Sequence, residues 1–233
     1  MPPFHAPSDL VMTILGFPVR VHWSYLGLNL AAAFMLSRAG QPLWFIVATC
    51  AILLVSVLVH ELGHALAMRR FGIARIGITL NGIGGVAYSL DERSPFAPLS
   101  ALQRVAICLN GPIAGLALAL GGAWLLMQTT SLLAFNVCLT LVVINVTMNV
   151  ANLVPIWPLD GGQVMEGVAA GILPESWRNI LKVVLTTLSI MACGAVLGGA
   201  YLIRDPILGF YTLFIAQQNI LRGIELVRMM QKD

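Results

Sequence analysis

The sequence predicts an all-α membrane protein with six transmembrane helices, a short membrane-associated β-hairpin, and a broken, re-entrant segment near residue 160. Three observations carry that prediction. The 233 residues are 58% hydrophobic and only 10% charged, where a soluble domain carries roughly a quarter charged residues. Six apolar stretches recur along the chain, and four easily reach the about 20 residues a span needs. Two places interrupt the helical pattern, each with its own turn chemistry. So few charges cannot cover a water-soluble surface of this size. The composition therefore excludes a cytosolic globule, a disordered tail and a nucleic-acid module. A single polytopic domain over 1–233, multi-pass in the cell membrane, is the expected organisation.

The N-terminal stretch holds Pro2, Pro3, His5, Pro7 and Asp9. It lacks a basic region followed by an apolar core, so the first apolar stretch is expected to be retained as a span. The spans fall at 23–37, 43–68, 103–127, 132–154, 180–203 and 206–222, the first and last being shortest. Very short connections join the third to the fourth and the fifth to the sixth, as antiparallel pairs require. Basic residues set the orientation. Arg20, Arg69, Arg70, Arg75, Arg93, Arg104, Arg178, Lys182, Arg222, Arg228 and Lys232 share one side, against Arg38 and Arg204 on the other. The positive-inside rule then places both termini in the cytosol. Cys50, Cys108, Cys138 and Cys193 sit inside apolar runs without a CxxC pair and read as small packing residues.

The second span ends in His60-Glu61-Leu62-Gly63-His64. Histidines four apart lie on one helical face, so both imidazoles can reach one tetrahedral zinc. Glu61 stands beside them and can take a proton from an attacking water. Ionisable groups inside a span are costly and usually functional. With Arg69 and Arg70 at the interface, His60 lies nine residues deeper, roughly 14 Å at 1.5 Å per residue. The expectation is an intramembrane metal site reached from the cytosolic side.

The first break follows that helix. Apolar residues alternate at Ile76, Ile78 and Leu80 and again at Val86, Tyr88 and Leu90, with Asn81-Gly82 between. That pattern signals a β-hairpin within 73–90. The second break is Pro155-Ile-Trp-Pro158-Leu-Asp160-Gly-Gly162, which cannot continue a helix. Irregular backbone at membrane depth is tolerated only inside protein or beside a wet cavity. Asp160 reads either as a third metal ligand or as a turn aspartate before Gly161-Gly162. Asn145, Asn149 and Asn152 form a polar stripe on one face of the fourth span that leads into Asp160, which favours the ligand. The stripe also suits interhelical hydrogen bonding, as Gly111/Gly115 and Gly194/Gly198 suit close helix packing.

Together these residues resemble the site-2 protease family, the zinc intramembrane metalloproteases of peptidase family M50, in a compact form without PDZ or CBS domains. The resemblance rests on His60-Glu61-Leu-Gly-His64-Ala-Leu-Ala, Phe71-Gly72-Ile73, Gly84-Gly85-Val86, Asn110-Gly111-Pro112 and Asn152-Leu-Val-Pro155-Ile-Trp-Pro158-Leu-Asp160-Gly161, in family order. From Gly16-Phe-Pro-Val-Arg-Val-His22-Trp onward it covers nearly the whole chain. It implies His60, His64 and Asp160 as ligands of one zinc ion per chain, with Glu61 as general base. Asn152 would touch the scissile carbonyl or the substrate backbone. Asn110, His22 and Gly85 would stand around the site or its substrate. The implied activity is cleavage of peptide bonds in or near transmembrane segments. Implied substrates are single-span membrane proteins, such as membrane-tethered transcription regulators or anti-sigma factors. His22, beside Trp23 at the start of the first span, reads equally as an interfacial residue. Other HExxH membrane proteases take a glutamate ligand from a later helix, but Glu166 and Glu175 lack the partner motif such a helix carries.

Overall fold

The computed structural model describes residues 9–82, 84–90, 99–202 and 206–230. Residues 1–8, Ile83 of the expected hairpin, and Arg93, Arg204 and Lys232 of the topology count lie outside the described residues. The elements run β1 (Leu10–Ile14), β2 (Phe17–Val21), α1 (Trp23–Arg38), α2 (Leu43–Arg70), β3 (Ile76–Asn81), β4 (Gly84–Ser89), α3 (Ala101–Gln128), α4 (Leu132–Asn152), α5 (Asp160–Ile172), α6 (Glu175–Leu202) and α7 (Pro206–Met230). The protein is thus mostly helical with one small sheet. Four helical segments are long and apolar enough to cross a membrane: Leu43–Arg70, Ala101–Gln128, Leu132–Asn152 and Ser176–Gly199. They make the chain a membrane protein. The expected first span, α1, has 16 residues, about 24 Å of helix against a hydrocarbon core about 30 Å thick. The expected sixth span lies within α7, whose last turns carry Arg222, Glu225 and Arg228.

The chain divides into two compact units. One holds the described residues up to Leu99 together with Leu109–Ala151, and the other holds Ser100–Cys108 and the chain from Asn152 onward.

In the first unit, the expected hairpin is half of a four-stranded sheet ordered β1-β2-β3-β4. β1 and β2 pair antiparallel through a two-residue turn, with Leu15 and Gly16 both at positive φ, 51° and 83°. Two left-handed residues match the twist of the flanking strands. The basic end of α2 holds this turn: Arg69 Nη1 donates to the Leu15 carbonyl at 3.1 Å, and its guanidinium lies 4.6 Å from the Phe17 ring centroid. β2 then pairs parallel with β3, Val19 opposite Ile78 and Val21 opposite Leu80, with α1 and α2 forming the connection such a pairing needs. Pro18, which has no N–H to give, stands outside that ladder. Central β3 is buried along Ile76–Leu80. β4 pairs antiparallel with β3 from Ile76 opposite Ser89 to Asn81 opposite Gly84, so Asn81 ends a strand and Gly82 opens the turn.

α2 has its buried stripe at Thr49, Ile52, Ser56, His60, Gly63 and Ala67, the three-and-four spacing of one helical face. It ends in a Schellman motif. Gly72 sits at φ 89°, Gly72 N–H donates to the Arg69 carbonyl, and Ile73 N–H donates to the Met68 carbonyl. Those are the two bonds that motif requires, with glycine at the left-handed position. The chain is thereby turned from the helix straight into β3.

In the second unit, α3 starts with a capping box: Ser100 N–H donates to Gln103 Oε1 at 2.8 Å, and Gln103 N–H donates to Ser100 Oγ at 3.2 Å. α5 lies on this first part of α3, where a Cβ at Gly167 would fall 2.7 Å from Val105 Cγ2. The break after α4 spans residues 153–159. Its centre, Trp157, is held from two helices: its N–H donates to Ser189 Oγ of α6 at 3.3 Å, and its carbonyl accepts from Asn219 Nδ2 of α7 at 2.6 Å. Ser189 and Asn219 are fully buried. Arg222 stacks over the Trp157 ring at 4.8 Å and pairs with Glu166, which gives that glutamate an ion-pair role. Gly194 and Gly198 of α6 have no atom within 4 Å of an added Cβ among the described residues.

Candidate metal centre

His60, Glu61 and His64 occupy one turn of α2. His60 and Glu61 are 4% and 5% exposed, and burial of ionisable groups inside a span is costly. The two Nε2 atoms lie 3.1 Å apart, with the rings edge to face at 83° and centroids 4.7 Å apart. Two nitrogens bound to one tetrahedral zinc at ~2.05 Å stand about 3.3 Å apart. The imidazole pair therefore fits zinc as it stands.

Glycines let neighbouring elements close on this turn. A Cβ at Gly63 would lie 2.3 Å from the Asn110 carbonyl oxygen, and a Cβ at Gly111 would lie 2.2 Å from His64 Nε2. Glycine inside the HExxH turn and glycine after Asn110 are thus reciprocal requirements of one close crossing of α2 and α3. Gly85 of β4 does the same on another side, since a Cβ there would fall 2.4 Å from Glu61 Cγ. Behind the histidines, α4 packs its asparagines on α2. Asn145 Nδ2 donates to Ser56 Oγ at 2.8 Å, and Asn149 Oδ1 lies 2.8 Å from His60 Nδ1. Both asparagines are fully buried. Asn149 belongs to the stripe recognised in the sequence, but nothing in the spacing alone singled it out from Asn145 or Asn152.

Asp160 lies in the second unit, 8% exposed, as the first residue of α5. It is a helix-opening residue rather than a turn aspartate. A carboxylate there also complements the helix dipole. The two glycines after it admit the preceding loop. A Cβ at Gly161 would lie 2.2 Å from the Leu153 carbonyl oxygen, and one at Gly162 would lie 2.7 Å from Ile156 carbonyl atoms. Asn152 is the last residue of α4, half-buried. His22 is the N-cap of α1: its Nδ1 accepts from Ser24 N–H at 3.2 Å, and its own N–H extends the sheet ladder to the Leu80 carbonyl. Its sequence position just before an apolar helix was the available signal for that role.

The model for peptidase family M50 matches residues 48–134 and 127–193. Rip3 of Mycobacterium tuberculosis is 30% identical over 214 residues, covering 81% of this chain and 53% of Rip3. A zinc metalloprotease of Methanocaldococcus jannaschii is 28% identical, over 69% of this chain and 45% of that protein. Stage IV sporulation protein FB of Bacillus subtilis is 30% identical, over 60% and 48%. The chain spans about half the length of the curated relatives it matches. The solved site-2 protease from Methanocaldococcus jannaschii shares its fold with a TM-score of 0.66, covering 92% of this chain and 95% of that one at 19% identity. With the family match running across the histidine turn, the Asn110-Gly111 crossing and the Asp-Gly-Gly start of α5, the chain belongs to peptidase family M50, the family of the site-2 proteases.

Proposed function

We propose that this protein is an intramembrane zinc endopeptidase that cuts membrane-protein substrates in or near their transmembrane segments. The observation that carries the reading is the buried turn of α2, where two imidazole Nε2 atoms stand 3.1 Å apart in a helix long and apolar enough to cross a membrane. His60 and His64 hold the metal, and Asp160 of the Leu-Asp-Gly motif supplies the third ligand. When bound, zinc supplies Lewis acidity that polarises a carbonyl and makes water nucleophilic near neutral pH. Glu61 accepts the proton of the attacking water and returns it to the leaving amine, a task for which it must stay unprotonated before attack.

A transmembrane helix hides its carbonyls in its own hydrogen bonds, so the substrate unwinds locally before cleavage. β4 is an edge strand of the described sheet, and an edge can hold an extended segment by backbone pairing. Support for β4 in that role is the contact of Gly85 with Glu61, which puts the strand beside the base. Asn152 contacts the unwound backbone or the scissile carbonyl, with Asn110 and His22 at the periphery. Residues 153–159 form a re-entrant break, six helices cross the bilayer, and both termini face the cytosol. Single-span proteins, including membrane-tethered transcription regulators and anti-sigma factors, are the substrate class.

The test uses purified protein and a single-span substrate. Glu61→Gln should abolish cleavage and leave zinc bound one per chain, whereas His60→Ala or Asp160→Ala should lose the metal. Full activity in Glu61→Gln protein would sink the assignment of the base, and a zinc-replete His60→Ala protein would sink the metal site.

A further inference from the structure

Asn149 makes two hydrogen bonds that together fix which nitrogen of His60 carries the proton. Its Nδ2 lies 2.7 Å from the Asn145 backbone carbonyl, an acceptor that only an amide N–H can satisfy. The amide is therefore oriented with Oδ1 toward His60, 2.8 Å from Nδ1. An amide oxygen accepts and never donates. His60 Nδ1 must carry the proton, which makes Nε2, 3.1 Å from His64 Nε2, the acceptor nitrogen of the ring. We propose that Asn149 is a positioning residue that holds His60 in the Nδ1–H tautomer and aims its Nε2 at the metal. The proposal deepens the metal-site reading above and rests on it.

The surroundings of Asn149 are built to keep it in place. Its side chain fills the space that Gly115 leaves on α3, where a Cβ would lie 2.1 Å from Nδ2 and 2.4 Å from Oδ1. One turn earlier, Asn145 anchors α4 to Ser56 of α2. The two asparagines therefore divide the work, Asn145 joining helices and Asn149 addressing the ligand. A partner that orients a metal-binding histidine typically changes metal affinity 10- to 100-fold when lost.

The experiment measures Zn2+ affinity of the full chain in detergent by chelator competition, with Co2+ absorption as a second readout of the ligand field. Asn149→Leu should weaken Zn2+ about 10- to 100-fold, and Gly115→Ala, which displaces Asn149 without touching His60, should weaken it in the same direction. Asn149→Asp keeps an oxygen acceptor toward Nδ1 but loses the donor to the Asn145 carbonyl, and it should hold Zn2+ more tightly than Asn149→Leu does. Asn145→Ala removes a helix-joining bond of similar kind and should lower thermal stability while leaving Zn2+ affinity unchanged. In the unsubstituted zinc-bound protein, 15N spectra of labelled histidine should show His60 protonated at Nδ1 and metallated at Nε2, a readout that needs no variant to fold. Metal on Nδ1, unchanged affinity in Asn149→Leu, or equal loss in Asn145→Ala would overturn the proposal. A failure of the metal site itself reads differently, as His60→Ala binding zinc like the unsubstituted chain.

Discussion

Glu61 and Gly85 show how narrowly single residues determine the site. The glutamate is 5% exposed, and its side chain runs along the bare Cα of Gly85, in space a methyl group would occupy at 2.4 Å from Cγ. Gly85→Ala must therefore displace either Glu61, the proposed base, or strand β4. Because a base misplaced by about 1 Å can cost about 10²-fold in rate, kcat should fall by that order while zinc stoichiometry and helix content hold. Cleavage kinetics beside metal analysis checks this, and an unchanged kcat would show that the contact is slack. At this scale the sequence was largely readable. The histidine spacing points to a metal site, and the structure adds the imidazole separation. Asn149 was legible only as one member of a stripe, because its task depends on which residue of α2 faces it across a helix pair. His22 shows the same limit: a capping bond to Ser24 depends on backbone dihedrals, which its interfacial position does not reveal.

Among the elements, close crossings rest on glycine, and the cost of filling them can be argued. A Cβ at Gly63 would meet the Asn110 backbone carbonyl at 2.3 Å, and one at Gly161 would meet the Leu153 carbonyl at 2.2 Å. Neither obstacle is a flexible side-chain end. Gly63→Ala and Gly161→Ala should each destabilise by about 1–3 kcal/mol, read as a lower melting temperature in detergent, with cleavage reduced in both. Gly121→Ala, with nothing within 4 Å among the described residues, is the matched control and should melt as the unsubstituted protein does. The glycines also explain what the sequence concealed. Asp160-Gly161-Gly162 looks like a turn because glycine breaks helices by propensity; here the pair opens α5, since only glycine admits the loop folded against it. The β1–β2 hairpin was hidden for another reason. Leu-Val-Met-Thr-Ile has no alternation to read, four of its five residues being exposed, and its turn puts Leu15 at φ 51°, where asparagine or glycine is the usual sign. Asn81-Gly82 carried that sign, and β3–β4 was found.

For the whole molecule, composition alone established membrane residence, because 10% charge leaves no other surface. The proposed orientation rests on where those charges lie. Reporter domains fused at either terminus, in a cell whose compartments distinguish them, should both report the cytosol. A reporter after Gly40, in the α1–α2 connection that carries Arg38, should report the opposite side. A terminus found outside would overturn the orientation without touching the metal site. The parallel pairing of β2 with β3 bears on how such a chain is made. During synthesis β2 leaves the ribosome before α1 and α2, and β3 only after them, so the central ladder stays open until both helices have been made. It can form only if that helix pair returns the chain to the side it left, which requires an even number of crossings. Closing of the sheet thus ties β3 to the side on which β2 waits, and the Schellman turn at Gly72 points the chain that way as α2 ends.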